Sequence, residues 1–268
     1  MINLKINSGL ALKLNLKNLE LIFGNDIASR KALVRNASEM KDVLLGKNEQ
    51  MQEGIYYMYR GLSRINDCDK IQRNSLRYDV TVIASGFLGE EFVKTFGHYH
   101  SNSYPEVYEI LWGEALCILQ KSAVEDPLKI EDVILIRAKA KEKIVIPPGY
   151  GHILINPSVN LPLVSANWIS VKLESDYSIY KKAKGAAYFV TNNDGEFDFI
   201  KNNSYKNLPD IRVMHSIPSI EEFGISFDKP IYNILETAEK LDFLNNPGKY
   251  NFDNCFLADK RAFSAIPL

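Results

Sequence analysis

The sequence has 268 residues, of which 46% are hydrophobic and 24% are charged, a composition typical of one or two soluble globular domains. The 32 lysine and arginine residues nearly balance the 33 aspartate and glutamate residues, so the net charge predicts no binding to nucleic acid or to an anionic membrane. Three widely spaced cysteines, an N-terminus without a signal-peptide pattern and the lack of an 18-residue apolar stretch predict a cytoplasmic protein.

Short segments with strand patterns occupy most of the first 200 residues. At 10–16 the residues Leu10, Leu12, Leu14 and Leu16 alternate with more polar ones and predict a half-buried strand. The segment from Ser38 to Gly46 predicts a short helix with Ser38 as its cap. Runs rich in β-branched and aromatic residues predict further strands at 55–60, 78–85, 91–96, 106–112, 115–120, 130–136, 143–146, 152–156, 163–172 and 186–191. So many short strands, separated by Gly and Pro turns, indicate an all-β sandwich or barrel.

The pattern changes after the hairpin-type turn at 192–195. Residues 201–210 are polar and predict a loop, whereas Pro230 begins a segment with helical spacing of apolar residues. These residues are Ile231, Ile234, Leu235, Ala238, Leu241 and Leu244. The apolar face of this helix must pack on the barrel or on a partner subunit. We therefore divide the chain into a barrel with an N-terminal strand and helix at 1–200 and a C-terminal extension at 201–268.

Three of the four histidines lie in positions that suit a metal site. His98 and His100 are two residues apart, so a strand points both side chains to the same face. Glu106 begins the next strand after a short turn and can face them, and His152 follows the rigid turn at 147–151. Three imidazoles and one carboxylate suit Zn, Fe, Mn or Ni and leave positions open for a ligand. The fourth histidine, His215, is isolated and predicts no site.

The two segments that carry these ligands resemble the two signature motifs of the cupin superfamily. The matching residues are His98, His100, Glu106 and Gly113 in the first motif, and Pro147, Gly149, His152 and Asn156 in the second. The gap from His100 to Glu106 is longer than in most cupins, and Lys141 stands where a glycine usually precedes the second motif. The resemblance implies a double-stranded β-helix, or jelly-roll, barrel.

The long gap points to one branch of the superfamily. Thr95-Phe-Gly97-His98-Tyr-His100, followed by Glu106-Val-Tyr108, resembles the cupin-type glucose-6-phosphate isomerases of archaea and some bacteria. The resemblance covers roughly residues 30–200. It implies metal-dependent interconversion of glucose 6-phosphate and fructose 6-phosphate, a step of glycolysis and gluconeogenesis.

The same resemblance implies roles for individual residues. His98, His100, Glu106 and His152 hold the metal, Glu106 and Tyr108 take part in catalysis, and Tyr108 also contacts the sugar. Phosphate binding falls to Thr81, Thr95 and the backbone N–H of Gly97, and Trp168 is the nearest match to an aromatic side chain placed beside the sugar. A carboxylate bound to a cation is a weak base, so Glu106 is a ligand first and a base second. The hydrogen moves between C1 and C2 either as a proton, through a cis-enediol, or as hydride, and the sequence allows both.

Two other functions fit the same ligands. Another cupin enzyme, such as an isomerase of a different sugar phosphate or an Fe-dependent dioxygenase, would differ in O₂ consumption or in substrate. A non-catalytic sugar-binding cupin would show no turnover with any added metal. Because sheet edges and the apolar helix need cover, we also expect a homodimer whose interface includes the segment 10–16.

Overall fold

A computed structural model describes residues 1–46 and 53–258 of the chain, and strands dominate it. In chain order the strands are β1 (Ile2–Asn3), β2 (Leu12–Asn15), β3 (Glu20–Phe23), β4 (Leu33–Arg35), β5 (Tyr56–Arg60), β6 (Leu76–Ile83), β7 (Phe87–Leu88), β8 (Glu91–Phe92), β9 (Tyr99–His100), β10 (Glu106–Trp112), β11 (Glu114–Ser122), β12 (Ile130–Lys139), β13 (Lys143–Ile146), β14 (Tyr150–Ile155), β15 (Leu163–Ser170), β16 (Ser175–Asp176), β17 (Tyr188–Asn193), β18 (Glu196–Lys201), β19 (Arg212–Ser216), β20 (Ser219–Ile220), β21 (Ile225–Ser226) and β22 (Phe256–Ala258). All ten strands predicted between 55 and 191 are present. Only the one at 91–96 is much shorter, since β8 ends at Phe92.

The helices are short. The α-helices are α1 (Lys5–Ser8), α2 (Cys68–Arg73) and α3 (Ser178–Lys182), and the 3₁₀ helices are Ala37–Val43, Ile65–Asp67, Ser101–Ser103, Glu221–Phe223, Ile231–Leu244 and Pro247–Lys249. The helix predicted with Ser38 as its cap is a 3₁₀ helix that begins at Ala37, because the cap is Asn36, whose N–H donates to the Glu39 carboxylate. No helix within 1–46 and 53–258 is long and apolar enough to span a membrane.

Two large sheets face each other. One has the strand order β13-β10-β15-β6-β5-β4, and the other has the order β14-β11-β12-β19-β22. All pairs in these two sheets are antiparallel except β12 with β19. Ile110 and Ile144 of the first sheet share one apolar core with Ile118 and Ile136 of the second. The predicted all-β jelly-roll barrel is confirmed as a fold class, although the described strands form separate sheets rather than one closed barrel.

The six-stranded sheet is covered on both faces. Successive residues of a strand point to opposite sides, so the inner face contacts the five-stranded sheet and the outer face forms a second apolar core. Trp168 lies in that outer core, where its ring stacks on Tyr232 at 5.7 Å and its indole N–H donates to the Ile231 carbonyl at 2.9 Å. The N-terminal hairpin and the C-terminal helix therefore cover the outer face from the same chain.

The C-terminal extension packs on its own barrel over the residues that the structure describes. The helix predicted after Pro230 is present as a 3₁₀ helix with a kink at Thr237, and all six residues of its predicted apolar face are buried. Leu10, Leu12 and Leu14 are at most 1% exposed, whereas Leu16 is 43% exposed. Since the chain itself covers most of this apolar face, little apolar surface at 10–16 is left for a dimer interface. The homodimer stays a prediction.

A buried ion pair ties the outer face to the extension. The Lys143 ammonium lies 3.1 Å from the Glu109 carboxylate and donates to the Phe227 carbonyl at 3.0 Å. The same carboxylate accepts the Ile231 N–H at 2.7 Å. Burial raises the pKa of Glu109 to about 7, although the Lys143 ammonium opposes the shift. The extension is therefore held by polar contacts as well as by apolar burial.

Candidate metal centre and substrate pocket

The histidines are positioned by strands that meet at one end of the two-sheet core. His98 and His152 lie opposite each other in a short antiparallel bridge, with backbone hydrogen bonds of 3.3 and 3.0 Å in the two directions. Gly97, just before His98, has φ +82°, and a Cβ atom there would lie 2.4 Å from Ile153 and 2.5 Å from Tyr180. Only glycine fits this position, which aligns the first histidine strand against β14.

All four predicted ligands converge. One ligand atom from each of His98, His100, Glu106 and His152 can be chosen so that all four lie within 4.8 Å of one another. Glu106 Oε2 lies 3.2 Å from His100 Nε2 and 3.4 Å from His152 Nε2. Side chains that surround a common point at these distances can share one cation.

The hydrogen bonding of His100 fits a metal ligand. Its Nδ1 lies 2.6 Å from the Tyr104 carbonyl oxygen and donates to it, which fixes the tautomer with the lone pair on Nε2. That buried Nε2 has no hydrogen-bond partner among the described residues and faces the Glu106 carboxylate. A lone pair facing an anion is unfavourable unless a proton or a metal cation lies between them, and here the other ligands can bind the same cation. The donor set therefore fits a divalent metal of the Zn, Fe, Mn or Ni group.

The protonation states of the histidines also suit a metal site. Burial and the neighbouring imidazoles lower the pKa of His98 and of His152 well below the usual value, so both rings are neutral, as metal ligands must be. Burial, together with the Glu106 carboxylate, raises the pKa of Tyr108 well above its usual value. The neutral phenol lies 3.2 Å from His152 Nε2, so Tyr108 brings a proton to the edge of the cluster.

A pocket opens over the cluster, and the predicted substrate residues Thr81, Thr95, Gly97 and Tyr108 all line it. Thr95 Oγ1 accepts the Leu154 N–H at 3.0 Å, which leaves its own O–H free to donate into the pocket. The Gly97 N–H donates to no residue within 1–46 and 53–258. Hydroxyl and amide donors of this kind suit an anionic oxygen.

The pocket has further polar residues that were not predicted from the sequence, and three of these are Arg60, Asp79 and Asn167. They lie in one row across the sheet, because Tyr108 pairs with Asn167, Asn167 with Asp79, and Asp79 with Arg60. The signal that could have found Asp79 is the inward alternation of Arg77, Asp79 and Thr81 along β6. Arg77 lies 2.9 Å from Asp79, whereas Arg60 forms no ion pair with any described residue.

The interpretation of Trp168 as an aromatic residue beside the sugar is wrong. Trp168 is fully buried in the outer core, while its neighbours Asn167 and Ile169 line the pocket. Alternation along β15 forces this arrangement, since adjacent residues cannot share a face. Tyr177 is one of the aromatic residues that do line the pocket, with its ring centroid 5.5 Å from that of His98.

Solved structures resemble parts of this chain at low scores. An oxalate oxidase matches with 14% identity and a TM-score of 0.36, over 52% of this chain and 61% of its own. The vicilin of hazelnut, Corylus avellana, matches with 16% identity and a TM-score of 0.35, over 50% of this chain and 34% of its own. Similarities with TM-scores this low support no conclusion about the fold or the function of the chain.

The sequence relatives are more informative. A glucose-6-phosphate isomerase of Thermococcus kodakarensis is 27% identical over 189 residues, which span 67% of this chain and 90% of the relative. Another, of Pyrococcus horikoshii, is 26% identical over 191 residues, spanning 68% of this chain and 92% of the relative. The family model of glucose-6-phosphate isomerase (GPI) matches residues 25–207, which include the whole histidine cluster and its pocket. The chain therefore belongs to the glucose-6-phosphate isomerase family.

Proposed function

We propose that this protein is a metal-dependent aldose–ketose isomerase that interconverts glucose 6-phosphate and fructose 6-phosphate. The observation that carries the proposal is the convergence of three histidines and one glutamate at the end of a pocket. Tyr108, Thr81, Thr95 and Gly97, which the family resemblance assigns to the substrate, line the same pocket. A step of glycolysis and gluconeogenesis is the corresponding metabolic role.

His98, His100, Glu106 and His152 would hold the metal. When bound, a divalent cation at this position supplies Lewis-acid polarisation of the sugar carbonyl. The neutral imidazoles and the tautomer fixed at His100 prepare the site for it, since little has to be reorganised on binding.

Tyr108 and Glu106 supply the protein's own proton chemistry. The phenol of Tyr108 keeps its proton because burial raises its pKa, and it points at His152. Once that imidazole serves as a ligand, the phenolic O–H is available to a sugar oxygen beside the reacting carbons. If the hydrogen moves as a proton, Glu106 is the carboxylate in the cluster that can accept it from C2.

The phosphate group needs donors and positive charge in the same pocket. The Thr81 and Thr95 hydroxyls and the Gly97 N–H provide donors. Arg60 adds a guanidinium without an ion-pair partner among the described residues, and its Nη2 lies 3.8 Å from Met58 Sδ. Met58 is the register partner of Thr81 on the neighbouring strand, so the guanidinium lies toward Thr81. A dianionic phosphate fits this combination.

The experiment is metal removal and reconstitution. The full chain is treated with a chelator, reloaded separately with Mn, Fe, Ni or Zn, and assayed for conversion of glucose 6-phosphate and for O₂ consumption. We expect isomerase activity that is lost on chelation and restored by at least one metal, with no O₂ uptake. Full activity in the chelated protein, or O₂ consumption without isomerisation, would overturn the proposal. His215→Ala, at a histidine on β19 that does not belong to the cluster, serves as the control for histidine substitutions in the cluster.

The remaining expectations about this protein stay predictions. These are the homodimer, the cytoplasmic location and the identity of the metal among Fe, Mn, Zn and Ni. Each can be tested independently of the isomerase assay.

A further inference from the structure

Asn167 occupies an unusual position on the pocket wall. It lies on β15 with its side chain on the inner face, between Tyr108 on one neighbouring strand and Asp79 on the other. The residue is 5% exposed, and it lines the pocket that contains the metal cluster. An amide in this position lies in the pocket wall rather than in bulk solvent.

The amide of Asn167 makes no hydrogen bond with any residue within 1–46 and 53–258. The other buried asparagines behave differently. The Asn156 amide donates to three backbone carbonyls, and the Asn202 amide donates to two. The Asn167 side chain is mostly buried but opens on the pocket, so its amide is available to pair with a polar group of a bound ligand.

The neighbours of Asn167 do not pair with its amide in the structure. The Asp79 carboxylate already accepts from the Arg77 guanidinium at 3.0 Å and from the Gly61 N–H at 2.8 Å. The phenol of Tyr108 is directed at His152. The amide therefore keeps both a donor and an acceptor free toward the pocket, the combination that a hydroxyl group complements.

We propose that Asn167 is a specificity-determining residue that binds the C3 hydroxyl of the sugar phosphate. The proposal rests on the proposed isomerase function, in which C1 and C2 react beside the cluster and Tyr108. The row Tyr108–Asn167–Asp79–Arg60 leads from the cluster toward the Arg60 guanidinium. A sugar chain that runs from the cluster to the phosphate follows this row, and the first hydroxyl past the reacting carbons is the one on C3.

The test combines a substitution with a substrate that lacks the hydroxyl. Wild type and Asn167→Ala, both loaded with metal, are assayed with glucose 6-phosphate and with 3-deoxyglucose 6-phosphate. Wild type should prefer the natural substrate by about 5- to 100-fold in kcat/KM, because the analogue leaves a buried amide unpaired. The variant should prefer it by less than about threefold, since the amide is gone.

A matched control is Ser165→Ala. Ser165 lies two residues away on the same face of β15 and is fully buried, but it does not line the pocket. Its variant should keep the wild-type preference for the natural substrate. Equal discrimination in wild type and Asn167→Ala would overturn the assignment of Asn167.

Binding of both sugar phosphates, measured by calorimetry, separates this inference from the isomerase proposal. If wild type binds glucose 6-phosphate without isomerising it, the proposed function fails. In that case the assignment of Asn167 holds only if Asn167→Ala no longer binds glucose 6-phosphate more tightly than the 3-deoxy analogue. If wild type isomerises the substrate and discrimination does not depend on Asn167, the inference fails alone. If neither sugar phosphate binds, both fail.

Discussion

The Thr95 hydroxyl offers a sharp test of the phosphate site, because one substitution has two separable effects. Valine has nearly the same shape as threonine but replaces the hydroxyl with a methyl group. In Thr95→Val the phosphate loses a charge-assisted hydrogen bond of about 1.5–3 kcal/mol. The same substitution also removes the acceptor of the Leu154 N–H, which donates to Thr95 Oγ1 at 3.0 Å. An unpaired buried N–H lowers the free energy of unfolding by about 1–3 kcal/mol.

The two effects appear in different measurements. The phosphate does not react, so its contact is equally strong in the bound substrate and in the transition state. Its loss should raise KM by roughly 10- to 150-fold and leave kcat nearly unchanged. The lost N–H partner should appear only as a lower midpoint in urea unfolding. Thr95→Ser keeps the hydroxyl and should stay close to wild type in KM.

Steady-state kinetics at saturating metal, with unfolding curves on the same preparations, provide the assay. A folded, metal-loaded Thr95→Val with the wild-type KM would remove Thr95 from the phosphate site. A raised KM shared by Thr95→Ser would assign the effect to the γ-methyl group instead of the hydroxyl.

Three further predictions concern the metal, the buried ion pair and assembly. His152→Ala should lose isomerase activity, and excess metal should partly restore it. Glu106→Gln should stay inactive even at saturating metal. If excess metal restores the activity of both variants, Glu106 is only a ligand. Because the pKa of Glu109 is raised from 4.5 to about 7, the folded state holds that proton more tightly than the unfolded state. Stability should therefore fall as pH rises through this window. Glu109→Gln should remove this part of the pH dependence in urea unfolding, and an identical pH slope in variant and wild type would contradict the shift. Light scattering at micromolar concentration should give twice the mass of one chain, and a single-chain mass would rule out the homodimer.

The metal cluster could be predicted from the sequence because its geometry is local. His98 and His100 share a face through strand alternation alone, and the turn before His152 limits where that side chain can point. The strands were predictable for a similar reason, since their β-branched runs end at Gly and Pro. The run at 91–96 was an exception, because beyond Phe92 the chain forms only isolated bridges such as that of Lys94.

The polar wall of the pocket could not be predicted, and β15 shows why. Every residue from Leu163 to Ser170 is buried, because both faces of the sheet are covered. A strand buried on both sides shows no alternation of polar and apolar residues. The sequence therefore did not reveal which of Asn167 and Trp168 faces the pocket. Helical spacing after Pro230 was equally uninformative about helix type, since the kink at Thr237 has no local signature.

The covering of the outer sheet face also imposes an order on folding during synthesis. Strand β15, with Trp168, leaves the ribosome roughly sixty residues before the helix Ile231–Leu244 that covers it. At the usual elongation rate of about 5–20 residues per second, the apolar face around Tyr78 and Trp168 is exposed for about 3–12 s. During that interval the indole N–H also lacks the Ile231 carbonyl. The nascent chain therefore exposes an apolar surface that a chaperone can shield until the helix Ile231–Leu244 emerges and covers it.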